Sequence, residues 1–209
     1  MTQASNHRKA INHLKRVDPV MNDVITLVGR CTLVPRTEWT HFDALVRSIV
    51  YQQLSGKAAA TIHGRVLTLI GDGAEAPGRI VATSHEALRG AGLSAAKASY
   101  VRNLAEHALD GSLPVESLHE LSDDEIIAAL TQVKGIGRWS AQMFLMFRLG
   151  RPDVLPELDL GVQKGIQKAY RLRKLPTPKQ VLRRGGKWAP YRTVASWYMW
   201  RILEVQAED

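Results

Sequence analysis

Apolar residues along this chain recur with helical spacing. Ile11 and Leu14 begin one stripe, and Met21, Val24, Ile25 and Val28 form another. Phe42, Leu45, Val46, Ile49 and Val50 stand at i, i+3, i+4, i+7 and i+8, which places all five on one face of a helix. After Gly56 the pattern resumes through Ala58, Ile62, Val66, Leu69 and Ile70. Gly71 and Gly73 stop it, and the stretch GDGAEAPG reads as a loop. Ser84 supplies an N-cap for a short helix ending at Gly90. Ser94 caps the next, whose apolar face is Val101, Leu104, Ala105 and Ala108. Ser122 and Glu125 form a reciprocal capping box ahead of IIAAL. Another helix follows Gly137, and further ones begin near Asp159, Pro178 and Pro190. No segment alternates polar and apolar residues over strand length. The pattern predicts an all-α chain of roughly ten helices averaging about eleven residues. It carries no low-complexity tract and no fixed repeat period.

Composition narrows the class. A chain of 209 residues can form one large domain or two small lobes with a real core. A hydrophobic content of 45% with 23% charged residues is ordinary for a globular protein. The net charge of +8 and pI near 9.8 suit a polyanionic partner, most simply nucleic acid, although charge alone is a weak signal. One cysteine, Cys31, permits no disulfide within the chain and fits a reducing compartment. It also excludes a four-cysteine iron–sulfur cluster and a Cys-based zinc site. The opening MTQASNHRKAINHLKRVDPV lacks the apolar core of a secretory signal, and no run is apolar enough to span a bilayer. The expectation is a soluble cytoplasmic protein with no membrane partner, monomeric by default. The seven histidines show no metal-binding spacing, and His63, His85 and His107 read as surface residues of helices. Neither a P-loop nor a dinucleotide fingerprint is present.

The candidate chemistry begins at Lys134-Gly135-Ile136-Gly137-Arg138, a tight basic turn directly before an apolar helix. Glycine permits positive φ and lets another backbone come close. A turn ending at a helix start points several N–H groups outward, and the helix dipole adds partial positive charge there. Together these bind an anion such as phosphate, with charge added by Lys134 and Arg138 and the Ser140 hydroxyl within reach. The plainer alternative is an ordinary helix–turn–helix connection with a glycine C-cap.

The whole stretch LTQVKGIGRWSAQMF, residues 130–144, resembles the helix-hairpin-helix of the DNA glycosylase superfamily named for that hairpin, a Gly/Pro-rich loop and an aspartate. DVLPELDLGVQKG, residues 153–165, is similar to the loop that carries the aspartate. LVRSIVYQQLSGKAAATI, LRGAGLSAAKASYVRNLA and WAPYRTVASWYMW are similar to the alkylation-repair branch, the 3-methyladenine glycosylase II type. The resemblance covers most of the chain from about residue 42. It implies the compact all-α, two-lobed fold without an N-terminal β domain. One lobe would combine residues 1–43 with 155–209, and the other would span 44–154 and end in the hairpin, with the flipped base in the cleft between them. It also implies a partner, duplex DNA containing alkylated bases. Bifunctional members place a catalytic lysine just after the hairpin's G-x-G-R, where this chain has Trp139. An indole nitrogen cannot form a Schiff base, so a monofunctional hydrolase is implied.

On the same resemblance Asp159 falls where the family's essential aspartate lies. Aspartate is also a favoured N-cap, and the two roles are compatible. A carboxylate near C1′ would stabilise an oxocarbenium-like sugar and orient or deprotonate water. An alkylated purine already carries positive charge, so one carboxylate could suffice where sugar hydrolases commonly use two. Asp153 and Glu157 read as solvated loop charges. Trp139 and Trp200 match positions that line the base pocket in relatives, with Tyr51 and Trp197 weaker candidates. Of Trp188, Trp197 and Trp200, at least one belongs to the core. Met143, one turn beyond Trp139, stands where relatives carry an aromatic. The turn QQLS offers Gln53, Leu54 or Ser55 as the side chain that fills the gap left by the flipped base, unless Leu54 packs inward. Arg183, Arg184, Lys187 and Arg192 form a basic tail that either touches phosphate or is a solvated face. No organic cofactor and no side-chain metal site is implied, although the hairpin carbonyls could hold a Na+ or K+ ion. Two other readings stay open from the residues: a non-catalytic module gripping damaged DNA, and a superfamily glycosylase for oxidised or mismatched bases.

Overall fold

The computed structural model describes residues 3–205, and every regular element among them is helical. Twelve α-helices occur among the described residues. They are α1 (Gln3–Val17), α2 (Pro19–Val28), α3 (His41–Tyr51), α4 (Gly56–Ile70), α5 (Ala76–Ala82) and α6 (His85–Gly90). There follow α7 (Ala95–Leu109), α8 (Asp123–Thr131), α9 (Arg138–Phe147), α10 (Leu160–Ala169), α11 (Pro178–Gly185) and α12 (Arg192–Arg201). None is long and apolar enough to cross a membrane.

The chain forms two units, residues 1–35 with 145–209, and residues 36–144. These divisions fall at 35/36 and 144/145, where the family resemblance implied 43/44 and 154/155. The reasons are local hydrogen bonds. Asp43 is buried and its Oδ2 accepts from Thr40 Oγ1 at 2.7 Å and from the Gly73 N–H at 3.1 Å, so the segment before α3 is fastened to the second unit. At the other boundary, Arg151 N donates to Leu145 O at 2.9 Å, and Thr193 N donates to Pro152 O at 3.0 Å. That ties the segment after residue 145 to α12.

The first unit is built on α1, α2, α10 and α12, whose apolar faces meet around Trp188, Tyr198, Leu14 and Met21, all fully buried. One charge sits inside this core. Asp18 is 0% exposed and serves as N-cap of α2, its Oδ1 accepting from Val20 N at 3.1 Å. Its Oδ2 accepts from Trp188 Nε1 at 2.8 Å and from the Tyr170 hydroxyl, and pairs with Lys187 Nζ at 3.1 Å. A buried carboxylate without partners would be strongly unfavourable; here both oxygens are satisfied. Burial raises its pKa, but the hydrogen bonds from Tyr170, Trp188 and Lys187 together outweigh burial and hold it below the ordinary value. The same carboxylate, after burial itself, drives the Tyr170 hydroxyl's pKa upward.

The second unit holds α3–α8 and the start of α9. The capping residues read from sequence stand where expected: Ser84, Ser94 and the Ser122–Glu125 box cap α6, α7 and α8. Two expectations change. GDGAEAPG is not simply a loop, since a one-turn 3-10 segment (Gly73–Glu75) leads into α5. Pro77 lies in the first turn of α5, where its missing N–H costs no helical bond, and Ala76, Pro77 and Ile80 are buried. In α4 the buried face is Ala59, His63, Val66 and Ile70, whereas Ala58 and Leu69 are exposed. His63 is therefore a core residue and not a surface one, because the first half of the stripe runs through Ala59 and His63, one position beyond the Ala58 and Ile62 that first suggest it.

The Asp18 network generates a stability prediction. Its folded pKa lies below the ordinary value of 3.8. The stabilisation it gives is thus fully present above that value and is lost as pH falls through the lower folded value. Asp18→Asn should lower the unfolding free energy by about 3 kcal/mol near neutral pH in urea titrations, and the deficit should shrink as the solution is acidified through that range.

Candidate active site and hairpin

The turn between α8 and α9 is closed by its own backbone. Val133 N donates to Leu130 O at 3.2 Å, Ile136 N to Val133 O at 3.0 Å, and Ala141 N to Gly137 O at 3.0 Å. Ile136 is buried and anchors the tip. The two glycines do different work. Gly135 has φ of 84°, and a Cβ there would lie 2.2 Å from the Tyr100 ring. Gly137 has no positive φ, and a Cβ on it would meet nothing within 4 Å, so its bareness leaves open space on the outer side. The N–H groups of Gly135 and Gly137 have no protein acceptor among the described residues, and both glycines are exposed with Lys134 and Arg138. The Lys134 N–H is used internally, donated to Asn103 Oδ1 at 2.9 Å. Ser140 is half-buried on the first turn of α9. Trp139 is 44% exposed, and Met143 is half-buried one turn later.

The α3–α4 turn lies in the same unit. Gln53 takes φ of 56°, a left-handed conformation unusual outside glycine. Gln53, Leu54 and Ser55 are all exposed, and Leu54 at 38% does not pack inward. Two residues that the sequence did not single out hold this turn. Lys97 Nζ donates to Val50 O at 2.7 Å and to Gln52 O at 2.6 Å, and Gln52 Nε2 donates to Gly135 O at 2.9 Å. Partners 45 and 83 residues apart leave no local signal. Tyr51 is half-buried beneath Arg47, whose guanidinium carbon stands 3.8 Å from its ring centroid and 4.9 Å from that of Trp39. His63 meets both rings edge-on, and its buried Nε2 has no hydrogen-bond partner among the described residues. Burial, then the Arg47 charge, lowers the His63 pKa.

Asp159 belongs to the first unit. Its loop is stitched to α12, with Thr193 Oγ1 donating to Arg151 O at 2.6 Å and Val154 N donating to Thr193 Oγ1 at 2.9 Å. A turn follows, in which Asp159 N donates to Pro156 O at 3.0 Å. Asp159 is the N-cap of α10, and its Oδ1 accepts from Val162 N at 2.7 Å and from Trp200 Nε1 at 2.8 Å. The side chain is half-buried and fixed in one orientation. Trp200 stacks on Phe147 with ring centroids 5.7 Å apart. Of the three nearby tryptophans, Trp188 and Trp197 are buried and Trp200 is only partly so.

Neighbouring charges depart from the sequence expectation. Glu157 is buried, and Asp153 forms a two-pronged pair with Arg192 at 2.7 and 2.9 Å, so neither is a solvated loop charge. The basic tail is partly structural: Arg192 holds Asp153, Lys187 holds Asp18, and Arg184 lies 5.1 Å from the Tyr170 ring centroid, while Arg183 is exposed. No group of three His, Cys, Asp or Glu able to hold a metal ion occurs among the described residues.

A glycine turn with unpaired amides among the described residues and a half-exposed N-cap aspartate after a proline turn stand on an all-helical frame, and that frame is shared with DNA-repair proteins. The sequence model of the HhH-GPD superfamily base excision DNA repair protein matches residues 46–190, and the chain belongs to that superfamily. It is similar to DNA-3-methyladenine glycosylase 1 of Schizosaccharomyces pombe, 37% identical over 94% of this chain and 88% of the relative. Among solved structures it is similar to a DNA-3-methyladenine glycosidase from Bacillus halodurans, 40% identical with a TM-score of 0.85, covering 96% of this chain and 91% of that one. A Schizosaccharomyces pombe 3-methyladenine DNA glycosylase in complex with abasic DNA is 35% identical with a TM-score of 0.79, covering 94% and 97%.

The two hairpin glycines should separate under mutation. Gly135→Ala, strained in backbone and against Tyr100, should lose about 1–3 kcal/mol of stability in urea unfolding. Gly137→Ala should unfold within about 0.5 kcal/mol of wild type and lose affinity for duplex DNA in a titration.

Proposed function

We propose that this protein is a monofunctional DNA glycosylase that turns alkylated bases, such as 3-methyladenine or 7-methylguanine, out of duplex DNA and hydrolyses their N-glycosidic bond. The observation that carries the reading is the Asp159 carboxylate, held at the start of α10 by Val162 N and Trp200 Nε1 while its side chain stays partly exposed. The high identity with glycosylases named for 3-methyladenine, over nearly the whole chain, supports the substrate class.

The hairpin grips a phosphate through the outward amides of Gly135 and Gly137, with Lys134 and Arg138 adding charge. Such contacts set position without reading sequence, which suits an enzyme that must work at any lesion. Gln53, exposed on a left-handed backbone, is the favoured occupant of the gap in the duplex, ahead of Leu54 and Ser55. In the second unit the partly exposed Trp139 indole suits contact with a cationic base. In the first unit Trp200 presents an aromatic surface beside the Asp159 carboxylate. Met143 and Tyr51 are weaker contributors, Tyr51 being already covered by Arg47.

At the sugar, the glycosidic C1′–N bond breaks and its electron pair leaves with the base, neutralising the positive charge of a 3-methylated adenine. Asp159 stabilises the oxocarbenium-like sugar that remains. Water then bonds to C1′ as its proton passes to the carboxylate, giving free base and an abasic site. Trp139 stands where a strand-cleaving enzyme would need a lysine amine, so no Schiff base forms and the strand stays intact. This chemistry uses water and the Asp159 side chain. A monovalent cation on the hairpin carbonyls would serve the phosphate grip and take no part in bond cleavage. Action on chromosomal DNA places the protein in the compartment that holds it.

Asparagine caps a helix as well as aspartate does, so Asp159→Asn separates chemistry from folding. It should cut release of free base from methylated duplex DNA by about 10²–10³-fold, with melting temperature and DNA affinity kept. Borohydride should trap no covalent complex with wild type. Full release by the variant would remove the carboxylate from the mechanism.

A further inference from the structure

The α3–α4 turn and the hairpin are not independent loops. The last carbonyls of a helix lack intrahelical donors and need others. At the end of α3 two neighbouring carbonyls, Val50 O and Gln52 O, are both taken by Lys97 Nζ, at 2.7 and 2.6 Å. Gln52 in turn sends its Nε2 to Gly135 O at 2.9 Å, on the hairpin itself. Two residues of α7 complete the frame: Tyr100 lies against Gly135, and Asn103 accepts from the Lys134 N–H at 2.9 Å. Gln53 follows immediately after the residue held from both sides. Its φ of 56° is strained for a non-glycine residue and persists only where its surroundings impose it. Gln53 makes no hydrogen bond of its own among the described residues, so the constraint comes from its neighbours. The Lys97 ammonium is partly withdrawn from water, and this desolvation lowers its pKa.

We propose that Lys97 is a positioning residue for base extrusion: by tying Val50 and Gln52 to α7 it fixes the side chain that enters the duplex in register with the hairpin that holds the phosphate. The inference rests on the glycosylase reading. Its physical content is preorganisation. A wedge that must be ordered during insertion costs conformational entropy at that moment, and a wedge already in place does not.

The test is a double-mutant cycle between Lys97→Met and Gln53→Ala, read by single-turnover release of base at saturating enzyme. Lys97→Met keeps the aliphatic stem and removes both donated bonds. It should slow release about tenfold or more, with affinity for undamaged duplex within about twofold of wild type. Adding Gln53→Ala should then cost little further, and Lys97→Arg should recover much of the rate. Losses that simply multiply, or a wild-type rate in Lys97→Met, would overturn the proposal. Should Lys97→Met fail to fold by circular dichroism, Gln52→Met, which cuts only the bond to Gly135, should show the same non-additivity with Gln53→Ala. Extrusion is also read without chemistry, by the fluorescence of 2-aminopurine next to an abasic analogue. An unchanged signal in Lys97→Met overturns the positioning role. A wild-type protein that extrudes but releases no alkylated base would instead sink the glycosylase reading and leave the coupling standing.

Discussion

The contact on which the orientation of the Asp159 carboxylate depends is the close approach of α10 and α12. A Cβ on Gly165 would stand 1.9 Å from the Met199 carbonyl oxygen, so only a bare backbone lets the helices come this near. One turn earlier, a Cβ on Gly161 would stand 2.7 Å from the Trp200 ring. The two glycines clear one stripe of α10, and Trp200 fills the cleared space until its indole nitrogen meets Asp159 Oδ1. Orientation of the carboxylate is therefore a consequence of helix packing, set by residues with no functional group of their own.

The first unit uses the same small device twice with opposite results. Asp18 and Asp159 are both N-cap aspartates that also accept from a tryptophan Nε1 at 2.8 Å. Asp18 is wholly buried and adds Tyr170 and Lys187, so the network is closed and its product is stability. Asp159 is left half-exposed, so a held carboxylate remains accessible to solvent. Burial, more than residue type, separates the closed network from the open one.

The second unit shows how a protein that must ignore base sequence still places its parts. Its hairpin leaves two backbone N–H groups without an acceptor among the described residues, and backbone amide contacts to phosphate carry no base-sequence information. The turn bearing Gln53 is braced by a lysine from α7 and by the hairpin, so turn and hairpin share one frame. Arg47, clamped between Trp39 and Tyr51, stiffens the last turns of α3 by cation–π contact.

Much of this was legible from local pattern. Helical periodicity, the capping serines, the glycine turn before an apolar helix and the aspartate after a proline are all short-range signals, and local hydrogen bonding and helix geometry suffice to produce them. The chain itself carried the family resemblance through the same motifs. What sequence left open depends on residues far apart along the chain. The face of α4 that turns inward, with His63 in it, was decided by what α3 and its neighbours present. Asp153 became paired because α12 supplies Arg192, and the Glu157 backbone is held in place by Gln163 of α10. Lys97, Gln52 and Trp200 gained their roles only on folding, since a lysine or glutamine has the same local preferences whether it faces solvent or an unsatisfied carbonyl. Secondary structure is a property of neighbouring residues; the fixed carboxylate and the braced turn are properties of packing.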